Sequence, residues 1–444
     1  MSQFRNLVRI SVSVALLVAL SPAPGWADAP RDWLEQSLPP LIELYRHLHQ
    51  TPELSFQEEQ TAARMAVELR EVGADVTERV GGFGVVGVLR NGPGKTLMLR
   101  TDLDALPVVE QTGLPYASKV RTTDRRGATV GVMHACGHDL HMTNLVGVAQ
   151  YLSANRDRWR GTCVFICQPA EERGAGAEAM LQDGLYQRFP RPDYAVALHV
   201  TPQIPAGKVG YRAGYSMAHV DSVDVTIRGR GGHGAYPHTT IDPVVIAARY
   251  VLDLQTIISR EVKPIEPAVI TVGSIRGGTK HNIIGDDCHL QLTVRSYSPA
   301  VRRQLLAAIE RKAKAAALSA EAPPPSVEVS EGTPALFNDE RLVTRLVPVF
   351  EKALGEKNAF ETEPVMGGED FSRFAQGGVP IMLLWLGVTR EARLDEYTQT
   401  DSQPPSLHSP LFYPDVDVAL PTGIIAMASA ALDLLPPKKQ DGDP

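Results

Sequence analysis

The sequence predicts an α/β protein: a large α/β domain built on a mixed sheet, interrupted by an inserted, ferredoxin-like βαββαβ satellite domain. Three observations predict it. The chain has 444 residues, more than one small core organises, so two domains or one domain with an insertion is expected. Short apolar runs of the kind buried on both faces of a sheet, at residues 162–167 and 194–198, alternate with helical patterns. From about His219 the pattern changes to strands with one buried face, and α/β character returns after Gly332.

The elements follow in chain order. Arg5 and Arg9 precede an apolar run over 10–20 and a small-residue segment ending Gly25-Trp26-Ala27. This reads as a secretory signal peptide, 1–27, cut after Ala27 or Ala29. The run falls short of the ~20 residues a membrane span needs, so the mature protein is expected in the periplasm or secreted, with no membrane anchor. Ser55-Phe56-Gln57-Glu58 has the form of a capping box and opens a helix reaching Gly73. Residues 85–89 and 97–101 read as strands joined by the turn Asn91-Gly92-Pro93-Gly94. A helix at 139–154 and strands at 162–167 and 194–198 complete the first portion, 28–215. Val223, Val225 and Ile227 then alternate as in a half-buried strand. A helix at 242–260, strands at 268–275 and 289–295, a helix at 299–318 and a strand at 326–329 complete the βαββαβ unit, 216–331. The last portion, 332–444, holds a helix at 339–354, a strand at 380–386 and a helix at 415–435.

Composition excludes some functions. Hydrophobic residues make up 43% and charged residues 21%, with a net charge of −7 and no basic stripe, so nucleic acid is not an expected partner. The cysteines are Cys136, Cys163, Cys167 and Cys288. Export permits disulfides. Cys163 and Cys167 share a predicted strand, however, and would stand about 13 Å apart, beyond the ~7 Å that a disulfide bridges.

The chemistry-bearing residues are clustered. Met133-His134-Ala135-Cys136-Gly137-His138-Asp139-Leu140-His141 concentrates a thiol, a carboxylate and three imidazoles, the donors that bind borderline-soft divalent metals. Cys136 and His138 are ligand candidates, and Asp139 and His141 are expected to orient them. Glu171 and Glu172 follow an apolar strand and Pro169. They read either as a solvated acidic pair or as a strand-end pair in which one carboxylate binds a cation while the other moves a proton. His199 follows a strand and is a further candidate. His408 lies in a Pro- and Ser-rich loop, where a surface histidine would also lie. Gly229-Arg230-Gly231-Gly232-His233-Gly234 lacks the pattern of a nucleotide loop and reads as a flexible loop presenting a histidine. Asp102 and Asp104, in Arg100-Thr101-Asp102-Leu103-Asp104-Ala105-Leu106-Pro107, stand behind the ligands or simply in a turn.

Together these segments resemble the co-catalytic metallopeptidases that include aminoacylase, carboxypeptidase G and succinyl-diaminopimelate desuccinylase. The resemblance is strongest to the amidohydrolase branch, with hippurate hydrolase and the auxin-conjugate hydrolases. It spans about 41–435 and rests on Arg-Thr-Asp-Leu-Asp-Ala-Leu-Pro, His-Ala-Cys-Gly-His-Asp, Gln-Pro-Ala-Glu-Glu, Gly-Gly-His-Gly-Ala-Tyr-Pro-His, Gly-Gly-Glu-Asp-Phe and Leu-His-Ser-Pro. It implies two divalent ions (Mn, Zn, Co or Ni) held by Cys136, His138, Glu172, His199 and His408. It implies Glu171 as general base, Asp104 behind the site, and a satellite domain that pairs subunits into a homodimer or a tetramer. His233 would then reach a neighbouring site, and Asn282, Arg295 and Gly368 would contact substrate. The implied activity is hydrolysis of N-acyl amino acids. A carboxypeptidase acting on dipeptides or short peptides, or a non-catalytic metal- or solute-binding protein, are the alternatives.

Overall fold

In the computed structural model residues 30–437 are described; the expected signal segment, 1–27, lies outside the described residues. The first strands are β1 (Asp75–Val80), β2 (Gly84–Asn91), β3 (Thr96–Asp102), β4 (Gly161–Gln168), β5 (Tyr194–Pro205) and β6 (Val209–Tyr211). A separate sheet is made of β7 (His219–Arg228), β8 (Ala268–Gly277), β9 (Asp287–Ser296) and β10 (Ser326–Glu331). The last strands, β11 (Ala359–Glu361) and β12 (Ile381–Thr389), return to the first sheet, whose order is β1-β2-β4-β3-β5-β12-β6-β11. Its centre, β4-β3-β5-β12, is parallel, and β1, β2 and β6 join antiparallel neighbours. The sheet is therefore mixed, as the sequence predicts.

Period-two alternation decides which residues face which layer. Leu97, Leu99, Phe165 and Val196 face a core shared with the helices α1 (Arg31–Gln50), α2 (Glu59–Glu71) and α3 (His138–Ala154). Met98, Val164 and Ile166 face the other layer, with Phe371 and Phe374. Cys163 and Cys167 are buried on the first face and unpaired.

The small sheet has the order β8-β9-β7-β10, antiparallel throughout. That is the order of a ferredoxin-like βαββαβ unit. Its helices α4 (Pro243–Thr256) and α5 (Pro299–Leu318) share a separate core with it, including Val223, Val225, Tyr250, Leu290 and Leu305. The chain leaves and rejoins the large body through a two-stranded ladder, Gly214–Met217 with Leu336–Asn338. α6 (Glu340–Leu354) and α7 (Val416–Leu434) close the first core. Among the described residues α7 is the one helix long and apolar enough to cross a membrane, but it is mostly buried, packed on α3, α6 and β12.

Two local expectations are corrected. Ser55 and Glu58 do not cap α2. The Ser55 hydroxyl donates instead to Asp104 (2.6 Å), and the buried Glu58 accepts from the Ala170 N–H (2.8 Å). Glu53 takes over the cap, accepting from the N–H groups of Gln60 and Thr61. The strand before His199 does not end there; β5 continues to Pro205, because β12 pairs along most of that length.

His49, near the end of α1, ties that helix to the start of α3. Its Nδ1 lies 2.6 Å from Asp139 and its Nε2 3.1 Å from Glu110, all buried. Burial works against the imidazolium, but the hydrogen bonds to Asp139 and Glu110 outweigh it and raise the pKa from 6.5 to about 9. A raised folded-state pKa contributes stability that is complete below the unfolded value and lost as pH rises through the folded one. Chemical denaturation is therefore expected to show stability falling between pH 6.5 and about 9. His49→Gln should be less stable and should flatten that fall; an undiminished slope in the variant would remove this ion pair from the account.

Candidate metal centre

The C-terminal ends of the parallel strands collect the polar residues, as open α/β sheets generally do. β3 ends at Asp102, paired in register with Gln168 at the end of β4. Beyond Gln168 the chain turns through Ala170, at φ 50°, into a single helical turn carrying Glu171 and Glu172. Asp104 holds that turn. Its carboxylate accepts from the N–H groups of Glu171 (3.0 Å) and Glu172 (3.1 Å), besides Ser55. On the other side Gly137, at φ 78°, starts α3. A Cβ there would lie 2.6 Å from Val200 Cγ2, so only glycine lets Cys136 and His138 approach β5 this closely.

The expected ligands come together. Donor atoms of Cys136, His138 and His199 lie within 4.8 Å of one another, as do those of Cys136, Glu172 and His408, and those of His138, Glu171 and Glu172. Cys136 Sγ is 3.6 Å from His199 Nε2. His408, on a loop far along the chain, is half-exposed, has φ 69°, and reaches Glu172 at 3.4 Å.

Backbone carbonyls decide which ring nitrogens are free. His138 Nδ1–H donates to the Asp104 carbonyl (2.7 Å) and His199 Nδ1–H to the Val200 carbonyl (2.8 Å), so both turn Nε2 to the cluster. His141 differs: its Nε2 accepts from the Val200 N–H (3.0 Å), which leaves Nδ1–H to donate to Asp102 (2.7 Å). Both its nitrogens are engaged, so it orients rather than ligates.

Electrostatics separate these groups. Burial lowers the pKa of His199 and of His141 to about 4, keeping both imidazoles neutral. Burial also opposes the imidazolium of His138, but the charge of Asp102 and the Asp104 hydrogen bond prevail and raise its pKa to about 10. The Cys136 thiol is pushed up by burial and by Glu172 and Glu171. Glu171 is also pushed well up, by burial and then by Glu369, Glu172 and Asp370. Arg100 is the answering cation: buried, it reaches Asp102 (2.8 Å), Glu369 (3.0 Å) and Asp370 (3.2 Å).

These residues fit a divalent metal. His138 Nε2 and Glu172 Oε1 are buried with no hydrogen-bond partner, which is costly unless a cation meets them. Thiol, imidazole and carboxylate form a donor set for borderline ions.

The remaining expected residues lie elsewhere. His233 is exposed in a short ladder with Ile283, its Nδ1 accepting from the Ala235 N–H (3.0 Å). No hydrogen bond or ion pair joins it to the cluster. Asn282 adjoins it, its carbonyl accepting from the Gly234 N–H, while its side-chain oxygen is buried without a partner. Arg295 on β9 is half-buried, pairs with no carboxylate, and donates to Thr293 (3.1 Å). It stands opposite Val220, and a Cβ on Gly368 would lie 2.2 Å from Val220 Cγ2. Arg295 therefore shares the face of the small sheet that meets the Gly368 loop. Arg100, Glu369 and Asp370 lie in the motifs Arg-Thr-Asp-Leu-Asp-Ala-Leu-Pro and Gly-Gly-Glu-Asp-Phe, but their pairing carries no local signal, since Arg100 and Asp370 are 270 residues apart.

Known proteins are similar to this chain in sequence and in fold. The model of the peptidase family M20/M25/M40 matches residues 98–406. The N-acetyl-L-cysteine deacetylase of Bacillus subtilis is 38% identical over 341 residues, 76% of this chain and 77% of the relative. The thermostable carboxypeptidase 2 of Saccharolobus solfataricus is 36% identical over 396 residues, 88% of this chain and 94% of the relative. Among solved structures, a Bacillus subtilis protein described as a dinuclear metal binding peptidase of the M20 family superposes with a TM-score of 0.74 at 28% identity, covering 90% of this chain and 99% of that one. Fold, site and likeness together place this chain in the peptidase family M20/M25/M40.

Proposed function

We propose that the protein is a metal-dependent amidohydrolase that cleaves N-acyl amino acids to a carboxylic acid and a free amino acid. One observation carries the reading: Glu171 lies against the donor cluster yet its carboxyl makes no hydrogen bond, with His138 Nε2 at 3.9 Å. A storage site has no use for a buried, unengaged acid. The relatives named as a deacetylase and a carboxypeptidase support amide chemistry on amino acids.

Cys136, His138, His199, Glu172 and His408 would hold two divalent ions; Mn, Zn, Co and Ni all suit these donors. Bound there, they would supply Lewis acidity, lowering the pKa of a water and polarising the amide carbonyl. Glu171 takes one proton from the attacking water and delivers it to the nitrogen as the C–N bond breaks. Asp104 positions Glu171 and Glu172 through their N–H groups. Arg295, unpaired and half-buried, receives the carboxylate of the amino acid, with Gly368 and Asn282 nearby on the substrate path. His233 serves the site of a second copy, where its ring stabilises the oxyanion. Exposed apolar side chains on α4 (Val244, Val245, Leu252) and on the edge strand β8 (Ile275) support a homodimer through 216–331. In this reading 28–215 and 332–444 form the catalytic unit. The run after Arg5 and Arg9 supports export to the periplasm.

Turnover of acetyl-, benzoyl- and indole-acetyl-amino acids by metal-loaded protein, with dipeptides alongside, tests the activity; release of no amino acid from any acyl derivative would overturn it. Glu171→Gln should lose about 10²–10⁴ in rate while keeping its metal. Cys136→Ala and His138→Ala should lose metal by elemental analysis, and full occupancy in either would cancel that ligand assignment. Mixed dimers of His233→Ala with Glu171→Gln should regain one working site, because each intact residue then serves the same centre. Verified mixed dimers that stay inactive would place His233 outside the mechanism.

A further inference from the structure

A cavity of about 430 Å³ opens beside Glu172. Its walls include Leu106 and Pro107, from the loop after β3, and three cationic residues, Arg125, Arg126 and Arg173. None of the three lies within ion-pair distance of a carboxylate, a state they share with other exposed arginines of the chain such as Arg228 and Arg249. The acid on the same turn, Asp124, is occupied: its Oδ1 accepts from the N–H groups of Arg126 and Ala128, both at 2.9 Å.

The cationic wall is built rather than loose. Arg125 and Arg126 sit at the tip of a hairpin in which Arg121–Thr123 pairs with Thr129–Gly131. Gln57 ties the hairpin to the segment before α2, donating to the Thr123 carbonyl (3.3 Å) and accepting from the Thr122 hydroxyl (3.4 Å). The Arg125 guanidinium lies over the Phe56 ring, 4.4 Å from its centroid, a contact that steadies a cation without neutralising it.

The cavity shares Glu172 with the donor cluster, so a substrate whose amide lies at that cluster sends one arm into it. No wall residue comes from the small sheet that carries Arg295. The amino-acid arm, with its carboxylate at Arg295, therefore leaves on another side, and the cavity receives the acyl arm. In the proposed reading the bound ions answer the charge of Glu172, which leaves three guanidinium groups facing one carboxylate, Asp124, a wall of net positive charge. Such a wall favours an anion.

We propose that this cavity is the acyl subsite and that it selects acyl groups ending in a carboxylate, the half-amides of dicarboxylic acids. The proposal rests on the amidohydrolase reading and adds its substrate class. Two derivatives of one amino acid test it, N-glutaryl and N-(5-methylhexanoyl), which match in shape and differ in charge. The metal-loaded enzyme should favour glutaryl in kcat/KM by about tenfold or more, the worth of a charge-assisted hydrogen bond. That ratio should collapse in Arg125→Gln, Arg126→Gln or Arg173→Gln, and shrink as salt is raised. Hydrolysis of both derivatives with a ratio near or below one, or a ratio that all three variants leave intact, overturns the subsite and leaves the amidohydrolase reading standing. Hydrolysis of neither derivative, nor of any other N-acyl amino acid, overturns that reading and the subsite with it.

Discussion

The site depends on compensating buried charge. Asp102, Asp104, Glu171, Glu369 and Asp370 are all less than a tenth exposed at one end of the main sheet. Carboxylates so placed repel one another and lose their hydration. Arg100 answers three of them, Asp102, Glu369 and Asp370, and so fastens the loop after Gly368 to the end of β3. Asp104 is answered by N–H groups and the Ser55 hydroxyl. Glu171 and Glu172 receive no guanidinium and no backbone N–H in their side chains; only imidazoles approach them, His138 at 3.9 Å from each and His408 at 3.4 Å from Glu172. That shortfall of positive charge, beside a thiol and two free imidazole nitrogens, is what a pair of divalent ions would make good.

Each first contact is fixed by a second. The Asp104 carbonyl sets the tautomer of His138, the Val200 carbonyl sets that of His199, and the Val200 N–H removes His141 from the donor set. Val200 is held by the pairing of β5 with β12, and Asp104 by its hydrogen bonds to the turn of Glu171 and Glu172. The donors therefore need little reorganisation when an ion enters, apart from loss of the proton that burial and neighbouring acids keep on Cys136 and of the one that Asp102 and Asp104 keep on His138 against burial.

In the proposed reading the work divides between two parts of the molecule. The large sheet carries the donor cluster and the acid; the small sheet carries Arg295, the helix α4 beside it exposes an apolar surface, and His233 lies in a separate short ladder with Ile283. A substrate with a carboxylate at one end and an amide in the middle suits that division. The arginine-lined cavity beside Glu172 extends the same logic to the other end of the substrate.

The fold was legible in the sequence wherever local periodicity decides it. A bounding turn marked β3, a continuous apolar run marked β4 and alternation marked β7, and the helices α3, α5 and α7 were read to within a residue or two. Cys136 and His138 stood out as ligand candidates by residue type and spacing, whereas Glu172, His199 and His408 joined the expected set through the family resemblance; the structure brings all five donor groups together. Tertiary structure decided what local pattern cannot carry. β2 and β3 follow one another through a tight turn, yet β4 lies between them. Ser55 looks like a helix cap and serves Asp104. Asp102 looked as much like a turn residue as a partner of His141. The hairpin at 121–131 carries no motif, and its arginines gain meaning only from lying beside Glu172. The physical reason is range: periodicity reports which face a residue shows, while partners are chosen by chain closure over tens to hundreds of residues.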